Sequence, residues 1–281
     1  MGTSGSYGGP KGTGGLLPPW ADDADAAANP PNAVPVVNGD TPPPETPTPA
    51  QPVAPVTEWG TAKSNLSKWA RGTSGYASPR NALRGFVGAA GGSRRAATAA
   101  RSGRATAQSL GGFFAGVARE GFAVAATRAG VRNLVGRSAT AVLAELVDLL
   151  APDGASLEES VAREAAALTL EALFDGLGVN AEGLVALDRV DAVAMQDLLR
   201  EFVTNYVAER FLQALGDCID RGAISATAAN ALYDDVRQVV VETVKVDVGG
   251  RDLVALDWSG SEAQTLIDGV FTTAYSFIED L

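Results

Sequence analysis

The residues with the clearest chemical potential lie at the start of the chain, in the sequence MGTSGSYGGP. Gly2 is small enough to permit removal of Met1, and the α-amine then released would titrate at about pH 8. An unprotonated glycine amine is a nucleophile without a side chain to hinder it. Gly5, Gly8 and Gly9 give the neighbouring backbone additional freedom. On composition alone an ordinary disordered terminus is favoured, and a tip that enters another protein's pocket is the alternative.

Most other catalytic arrangements are missing from the composition. The chain contains no histidine and a single cysteine, Cys218, which removes the commonest general base and the usual zinc ligand sets. Lys11 precedes Gly12, whereas a P-loop requires glycine followed by lysine. The adjacent carboxylates Asp234 with Asp235 and Glu158 with Glu159 could bind a hard cation, but such pairs are typical of a solvated helix surface. We therefore expect no catalytic residue, no metal site and no cofactor, and we predict that the protein is not an enzyme.

Charge divides the chain into three blocks. Residues 1–57 contain one basic and five acidic groups, residues 58–137 contain 13 basic and two acidic groups, and residues 138–281 contain eight basic and 26 acidic groups. A basic block between acidic flanks can bind a polyanion or pair with acidic protein surface. Because aromatic residues are sparse and no nucleic-acid motif is present, pairing with the chain's own acidic part or with a protein partner is favoured.

The basic block has helical spacing interrupted by glycines. Arg94, Arg101 and Arg104 are spaced at seven and three residues, which would place them on one face of a continuous helix. Gly103 and similar interior glycines cost about 1 kcal/mol each relative to alanine. The block is therefore predicted to be partly ordered. From Phe113 onward the apolar residues recur at regular helical spacing, which predicts one apolar stripe. The stripe comprises Phe113, Val117, Gly121 and Val124.

Helical signals continue through the acidic block. Ser156 and Glu159 predict a capping box at the start of a helix with Leu157 on its inner face. A longer helix is predicted from about Asp188 to Leu215, with Val193 on its buried side. Ser225 is a predicted cap for the next helix, and Ser259 or Ser261 for the last. The sequence VKVDVGGRDLVALDW allows a hairpin across Gly249 and Gly250, although helix, loop and helix is favoured.

These patterns predict a mainly α protein with three parts. Residues 1–57 form a disordered Gly/Pro-rich arm and Pro-rich linker, and residues 58–137 form a basic, partly ordered Gly/Ala/Arg-rich helical segment. Residues 138–281 form an acidic, bundle-like helical domain. No apolar run approaches the ~20 residues that cross a bilayer, and no secretory signal is evident. A cytoplasmic location without membrane contact is therefore expected.

Three segments give the chain a family resemblance. They are MGTSGSYGGP with the following LLPPW, the basic GFVGAAGGSRRAATAARS, and APDGASLEESVAREA at the start of the acidic domain. Together they resemble the QatB family, a non-enzymatic component of the bacterial Qat anti-phage defence system. The resemblance covers most of the chain in order.

The resemblance implies partners and a role for the N-terminus. The expected partners are a QueC-like enzyme (QatC-like), a P-loop ATPase (QatA-like) and a TatD-like nuclease (QatD-like). QueC-like enzymes activate a deazaguanine carboxylate with ATP, and the resemblance implies that Gly2 is the acceptor of that group. The following residues would be read by the partner enzyme in extended form. They are Thr3, Ser4, Gly5, Ser6 and Tyr7.

Two other functions remain open from the sequence. The first is a nucleic-acid-binding adaptor that contacts phosphates through Arg94, Arg95, Arg101 and Arg104. The second is an unmodified structural scaffold for the ATPase or the nuclease. Salt-dependent DNA binding would favour the adaptor, whereas defence that survives substitution of Gly2 would favour the scaffold.

Overall fold

Helices form every regular element in the part of the chain that the structure describes. A computed structural model describes residues 57–71, 78–134, 136–222, 226–246 and 248–281. No strand occurs among them, so the prediction of a mainly α protein is confirmed. The predicted disordered arm lies outside the described residues, except for Thr57, as do Gly2 to Tyr7 and Ser225.

The basic segment contains five helices, α1 to α5. Glycines with positive φ separate several of them, since Gly92 (φ 90°) precedes α3, Gly121 (φ 84°) lies between α4 and α5, and Gly130 (φ 104°) ends α5. Such backbone angles strain other L-residues, so these glycines set the helix boundaries. The five helices are α1 Thr57–Ala70, α2 Pro79–Ala89, α3 Ser93–Ala99, α4 Arg101–Glu120 and α5 Phe122–Ala129.

The acidic segment contributes helices α6 to α11 and one 3₁₀ helix. Ser138 caps α6 through Ala141 N, and the predicted capping box of Ser156 and Glu159 starts α7. The helices are α6 Ala139–Leu150, α7 Leu157–Leu177, α8 Val179–Glu182, α9 Ala192–Gly222, α10 Ala226–Thr243 and α11 Ser261–Glu279, with the 3₁₀ helix at Leu184–Arg189. A turn at Gly249 and Gly250 links α10 and α11, as the helix, loop and helix prediction required.

The long helix α9 contacts helices of both segments. It packs against α7, α4 and α1 and buries Phe202 and Tyr206 completely. Phe211 of α9 meets Phe86 of α2 edge to face, and Phe86 meets Trp59 of α1 in the same way. Helix α11 packs against α2, α3 and α4. The basic and acidic segments therefore share one core.

The described residues all belong to one compact unit, Val53–Leu281. The predicted boundaries after residues 57 and 137 remain predictions.

Several helix details differ from the sequence prediction. Helix α9 starts at Ala192 rather than at Asp188, because Val190 has an extended backbone (φ −64°, ψ 120°) after the 3₁₀ helix. Leu157 and Val193, predicted to face inward, are 68% and 66% exposed. Both lie close to a helix start, where the apolar face has not yet reached the core.

Two further predictions about helix ends and faces also fail. Gly260 occupies the cap position of α11, so neither Ser259 nor Ser261 caps it with its side chain. Val124, placed on the stripe with Phe113 and Val117, is 51% exposed because the chain changes direction at Gly121.

Candidate functional site

A carboxylate from the acidic segment caps helix α4 of the basic segment. Helix α4 follows Ala100, which offers no capping side chain. Glu158 on α7 instead accepts hydrogen bonds from Ser102 N (2.9 and 3.0 Å) and Gly103 N (3.1 Å). The Tyr206 hydroxyl donates to the same carboxylate at 2.7 Å. A negative charge at a helix N-terminus is favourable, so Glu158 supplies the cap that the local sequence lacks.

The same arrangement occurs at both neighbouring helices. Helix α3 follows Gly92 and has no side-chain cap of its own, but Ser93 N donates to Glu279 of α11 at 3.0 Å. Helix α5 follows Gly121, and Phe122 N donates to Asp188 of the 3₁₀ helix at 2.6 Å. Three helices of the basic segment are thus capped by carboxylates distant in sequence, which we call the long-range caps (Glu158, Asp188 and Glu279).

Ion pairs join the two segments at further points. Arg80 of α2 pairs with Glu242 of α10 at 3.2 Å, and Arg104 of α4 pairs with Asp268 of α11. With the long-range caps, these contacts show that part of the basic segment's charge meets the chain's own acidic segment.

The four arginines proposed to bind phosphates have different surroundings. Arg94 and Arg95 lie on α3, and their side chains are exposed; that of Arg95 packs over Gly91. Arg101, the first residue of α4, is exposed, whereas Arg104 is engaged with Asp268. Helix α3 ends before Ala100 (ψ 52°), so the helical spacing that placed these arginines on one face does not continue across the break.

Two tyrosines are buried close to Glu158. Burial raises the pKa of the Tyr206 hydroxyl well above its usual range, with Tyr275 and Glu158 adding to the rise and Arg210 opposing it. Burial likewise raises the pKa of Tyr275. Both side chains therefore stay neutral over the physiological pH range, and Tyr206 acts as a fixed hydrogen-bond donor.

A cleft of about 600 Å³ runs along the exposed side of α4. Its floor is formed by small and polar residues of α4, including Ser109, Gly112 and Gly116. Leu149 and Leu150 at the end of α6 form one wall. Other lining residues are Ala105, Phe113 and Ala125, with Arg119, Glu120 and Arg128 as the charged ones.

Trp258 also lines the cleft, and two hydrogen bonds hold it in place. Its indole N–H donates to Leu253 O at 2.9 Å, and its carbonyl accepts from the Gln108 side chain. A Cβ atom on Gly111 would overlap the Trp258 ring, so Gly111 is required for this close packing. The sequence pattern did not single out Trp258, and isolated glycines in the pattern of α4 were the available signal for its close packing. Glu158, predicted with Glu159 to lie on a solvated helix surface, instead caps α4, because the packing of α7 brings it to the α4 N-terminus.

The described residues contain no cluster of three or more His, Cys, Asp or Glu side chains able to hold a metal ion. None of the described helices has the length and apolar character needed to span a bilayer. The expected acceptor Gly2 and its neighbours Thr3 to Tyr7 lie outside the described part of the chain.

The helical core, the long-range caps and the open cleft define an all-α protein in the part of the chain that the structure describes. Residues 91–278 match the family described as Qat anti-phage system associated protein QatB, and the chain belongs to this family. The match spans helices α3 to α11 almost to the end of α11, and leaves α1 and α2 outside. Comparison with curated proteins and with solved structures gave no match. Family membership makes the chain a component of an anti-phage defence system.

Proposed function

We propose that the chain is a non-catalytic member of an anti-phage defence complex in the cytoplasm, and that Gly2 accepts a deazaguanine-type group from a QueC-like (QatC-like) partner. The observation that carries the proposal is the membership of the QatB family, combined with glycine at position 2. The P-loop ATPase (QatA-like) and the TatD-like nuclease (QatD-like) are the other proposed partners.

The proposed chemistry needs only an unhindered amine from this chain. The partner activates the carboxylate of the deazaguanine acid: the carboxylate oxygen attacks the α-phosphorus of ATP, pyrophosphate leaves and an acyl adenylate forms. The Gly2 amine attacks the acyl carbon, an amide bond forms, AMP leaves and the proton on nitrogen passes to solvent. Thr3, Ser4, Gly5, Ser6 and Tyr7 would be the residues that the partner enzyme recognises. Small residues at most of these positions suit a narrow pocket.

The helical unit supports the role of a binding body rather than a catalyst. Glu158 and Asp188 are both engaged in capping helices, and Tyr206 is buried with its hydroxyl donated to Glu158. These polar groups stabilise the fold, so they are not arranged around an accessible reacting atom.

Intact-mass spectrometry of the chain, expressed with and without its QueC-like neighbour, tests the proposal. We expect an added mass on the N-terminal peptide only in the presence of the QueC-like enzyme. Gly2→Lys, which retains Met1, should abolish it, and Gly8→Ala serves as the matched control that keeps it. An unmodified N-terminus under both conditions, with the QueC-like enzyme shown to be active, would overturn the proposal. Gly2→Lys that leaves phage resistance intact would favour the unmodified scaffold.

The nucleic-acid adaptor is the second candidate, and one observation favours it. Arg94 and Arg101 are exposed and form no ion pair with another described residue. DNA binding that weakens with salt and is lost in Arg94→Glu/Arg101→Glu would support this function. Arg132→Glu, another exposed arginine, is the control. Binding that is absent at low salt would exclude it.

A further inference from the structure

We propose that the cleft along α4 is a docking surface for an α-helix of a partner protein, and that this helix carries an apolar stripe and a carboxylate near one end. The proposal concerns a surface of the helical unit and does not depend on modification of Gly2.

The shape of the floor fits a helix. Ala105, Ser109, Gly112 and Gly116 line the cleft at intervals of four, three and four residues, which is the spacing of a helix–helix seam. Their side chains are small, so a second helix can approach at the ~8 Å axis separation of closely packed pairs. The floor from Ala105 to Arg119 spans about 21 Å at ~1.5 Å per residue, enough for four helical turns.

The wall supplies apolar surface that the chain leaves uncovered. Leu149, which lines the cleft together with Leu150 and Phe113, is 41% exposed. The residues of α4 that line the cleft with Leu149 include Ser109, Gly112 and Gly116, whose small side chains leave it uncovered. An apolar stripe on the incoming helix would bury Leu149 against the small residues of the floor.

Charged residues at one end of the cleft indicate which polar group the partner helix carries. Arg128 pairs with Glu120, while Arg119 donates to the carbonyl oxygen of Val254 and pairs with no carboxylate among the described residues. The cleft therefore has one positive charge in excess, within a chain of net charge −11. A single excess charge suits one carboxylate on a helix, whereas a polyanion needs several cationic contacts. A second copy of this acidic chain would be disfavoured by its own net charge.

Photo-cross-linking in the assembled complex tests the proposal. Benzoylphenylalanine is placed at Ser109 in the chain co-expressed with the other proteins of its Qat system, and at exposed Ala172 on α7 as the control. We expect Ser109 to cross-link to a helical segment of a co-expressed protein with an apolar stripe and an Asp or Glu near one end. Cross-links confined to nucleic acid or to another copy of the chain, or equal yields at Ser109 and Ala172, would overturn the proposal.

Variants provide a second measurement that does not rely on the cross-linker. Ser109→Trp fills the cleft from an exposed helix position, and Arg119→Glu reverses its excess charge. Each should lower co-purification of the cross-linked partner at least tenfold, while Ala172→Trp and Arg132→Glu retain it. Thermal melting shows which variants remain folded. A folded Ser109→Trp protein that still binds the partner fully would contradict the assignment. The N-terminal mass is recorded on the same samples, so the outcome for the Gly2 proposal is read separately.

Discussion

Glu158 joins three parts of the molecule through one carboxylate. It lies in the first turn of α7, accepts two backbone N–H groups at the start of α4, and receives the hydroxyl of Tyr206 from α9. A Cβ atom on Gly103 would lie 2.5 Å from the Tyr206 ring, so the tyrosine reaches the carboxylate only because residue 103 is glycine. Charge-assisted hydrogen bonds of this kind are stronger than those between neutral groups.

Replacement of Glu158 by glutamine should destabilise the protein by about 2 kcal/mol. The amide keeps the size of the side chain but loses the charge that faces the α4 N-terminus. Urea unfolding measures the change, with Glu171→Gln at an exposed position of the same helix as the control. Equal midpoints for the two variants would show that Glu158 does not stabilise α4.

The buried Tyr275 predicts a dependence of stability on alkaline pH. Its pKa in the folded protein is raised by burial, whereas an unfolded tyrosine ionises at about pH 10. The contribution of neutral Tyr275 to the free energy of unfolding is therefore complete below about pH 10. It is lost as the pH rises further, because the unfolded state then releases a proton that the folded state retains. Denaturant unfolding between pH 8 and pH 11 should show a shallower loss of stability for Tyr275→Phe than for the parent. Parallel curves would contradict the prediction.

At the scale of elements, helices with and without local caps behave differently. Ser78, Ser138 and Ser156 cap α2, α6 and α7 from the residue immediately before each helix. Helices α3, α4 and α5 follow Gly92, Ala100 and Gly121, whose side chains cannot accept a hydrogen bond, and depend on the long-range caps. The caps of the first group can be predicted from local sequence, whereas those of the second come from carboxylates of the acidic segment.

Two glycines of α4 should respond in opposite directions to the same substitution. Gly111→Ala places a methyl group in overlap with the Trp258 ring and should cost about 1–3 kcal/mol through overpacking. Gly116→Ala meets Glu120 and Ala125 only at 3.5 Å and 3.6 Å, so the gain in helix propensity should stabilise the protein by up to about 1 kcal/mol. Thermal melting compares the pair. Similar shifts for both variants would show that Trp258 does not pack closely on Gly111.

At the scale of the whole molecule, the opposite charges of the two segments are brought into contact. Although the chain has a net charge of −11, it contains a basic block. This block contacts the acidic block through the ion pairs Arg80–Glu242 and Arg104–Asp268 and through the long-range caps. Both blocks also contribute large apolar side chains to one core, among them Leu110 and Leu170, each fully buried.

This shared core predicts a single cooperative unfolding transition for the helical unit. Leu110→Ala in the basic segment and Leu170→Ala in the acidic segment should each cost about 2–5 kcal/mol and lower the same calorimetric transition. Val193→Ala, at an exposed position, is the control and should change little. Two separable transitions, each sensitive to only one substitution, would show that the segments fold independently.

The sequence by itself determined the helical class, the capping box of Ser156 and Glu159, and the helical final element, because these depend on local hydrogen bonds and on apolar spacing within one helix. It misplaced the start of α9 and the exposure of Leu157, Val124 and Val193, since these depend on where the core ends.

For the function and the candidate site, too, some features follow from the sequence and others only from the tertiary structure. The residue types near Gly2 and the quoted motifs were sufficient to predict the QatB family, which the match over residues 91–278 confirms. The sequence also set the charge blocks, but tertiary structure alone decided which residues the charged groups contact. Glu158 meets α4, and Trp258 meets Gly111, across separations of more than 50 residues. Contacts over such distances arise only when packed helices bring them together, and no local pattern records them.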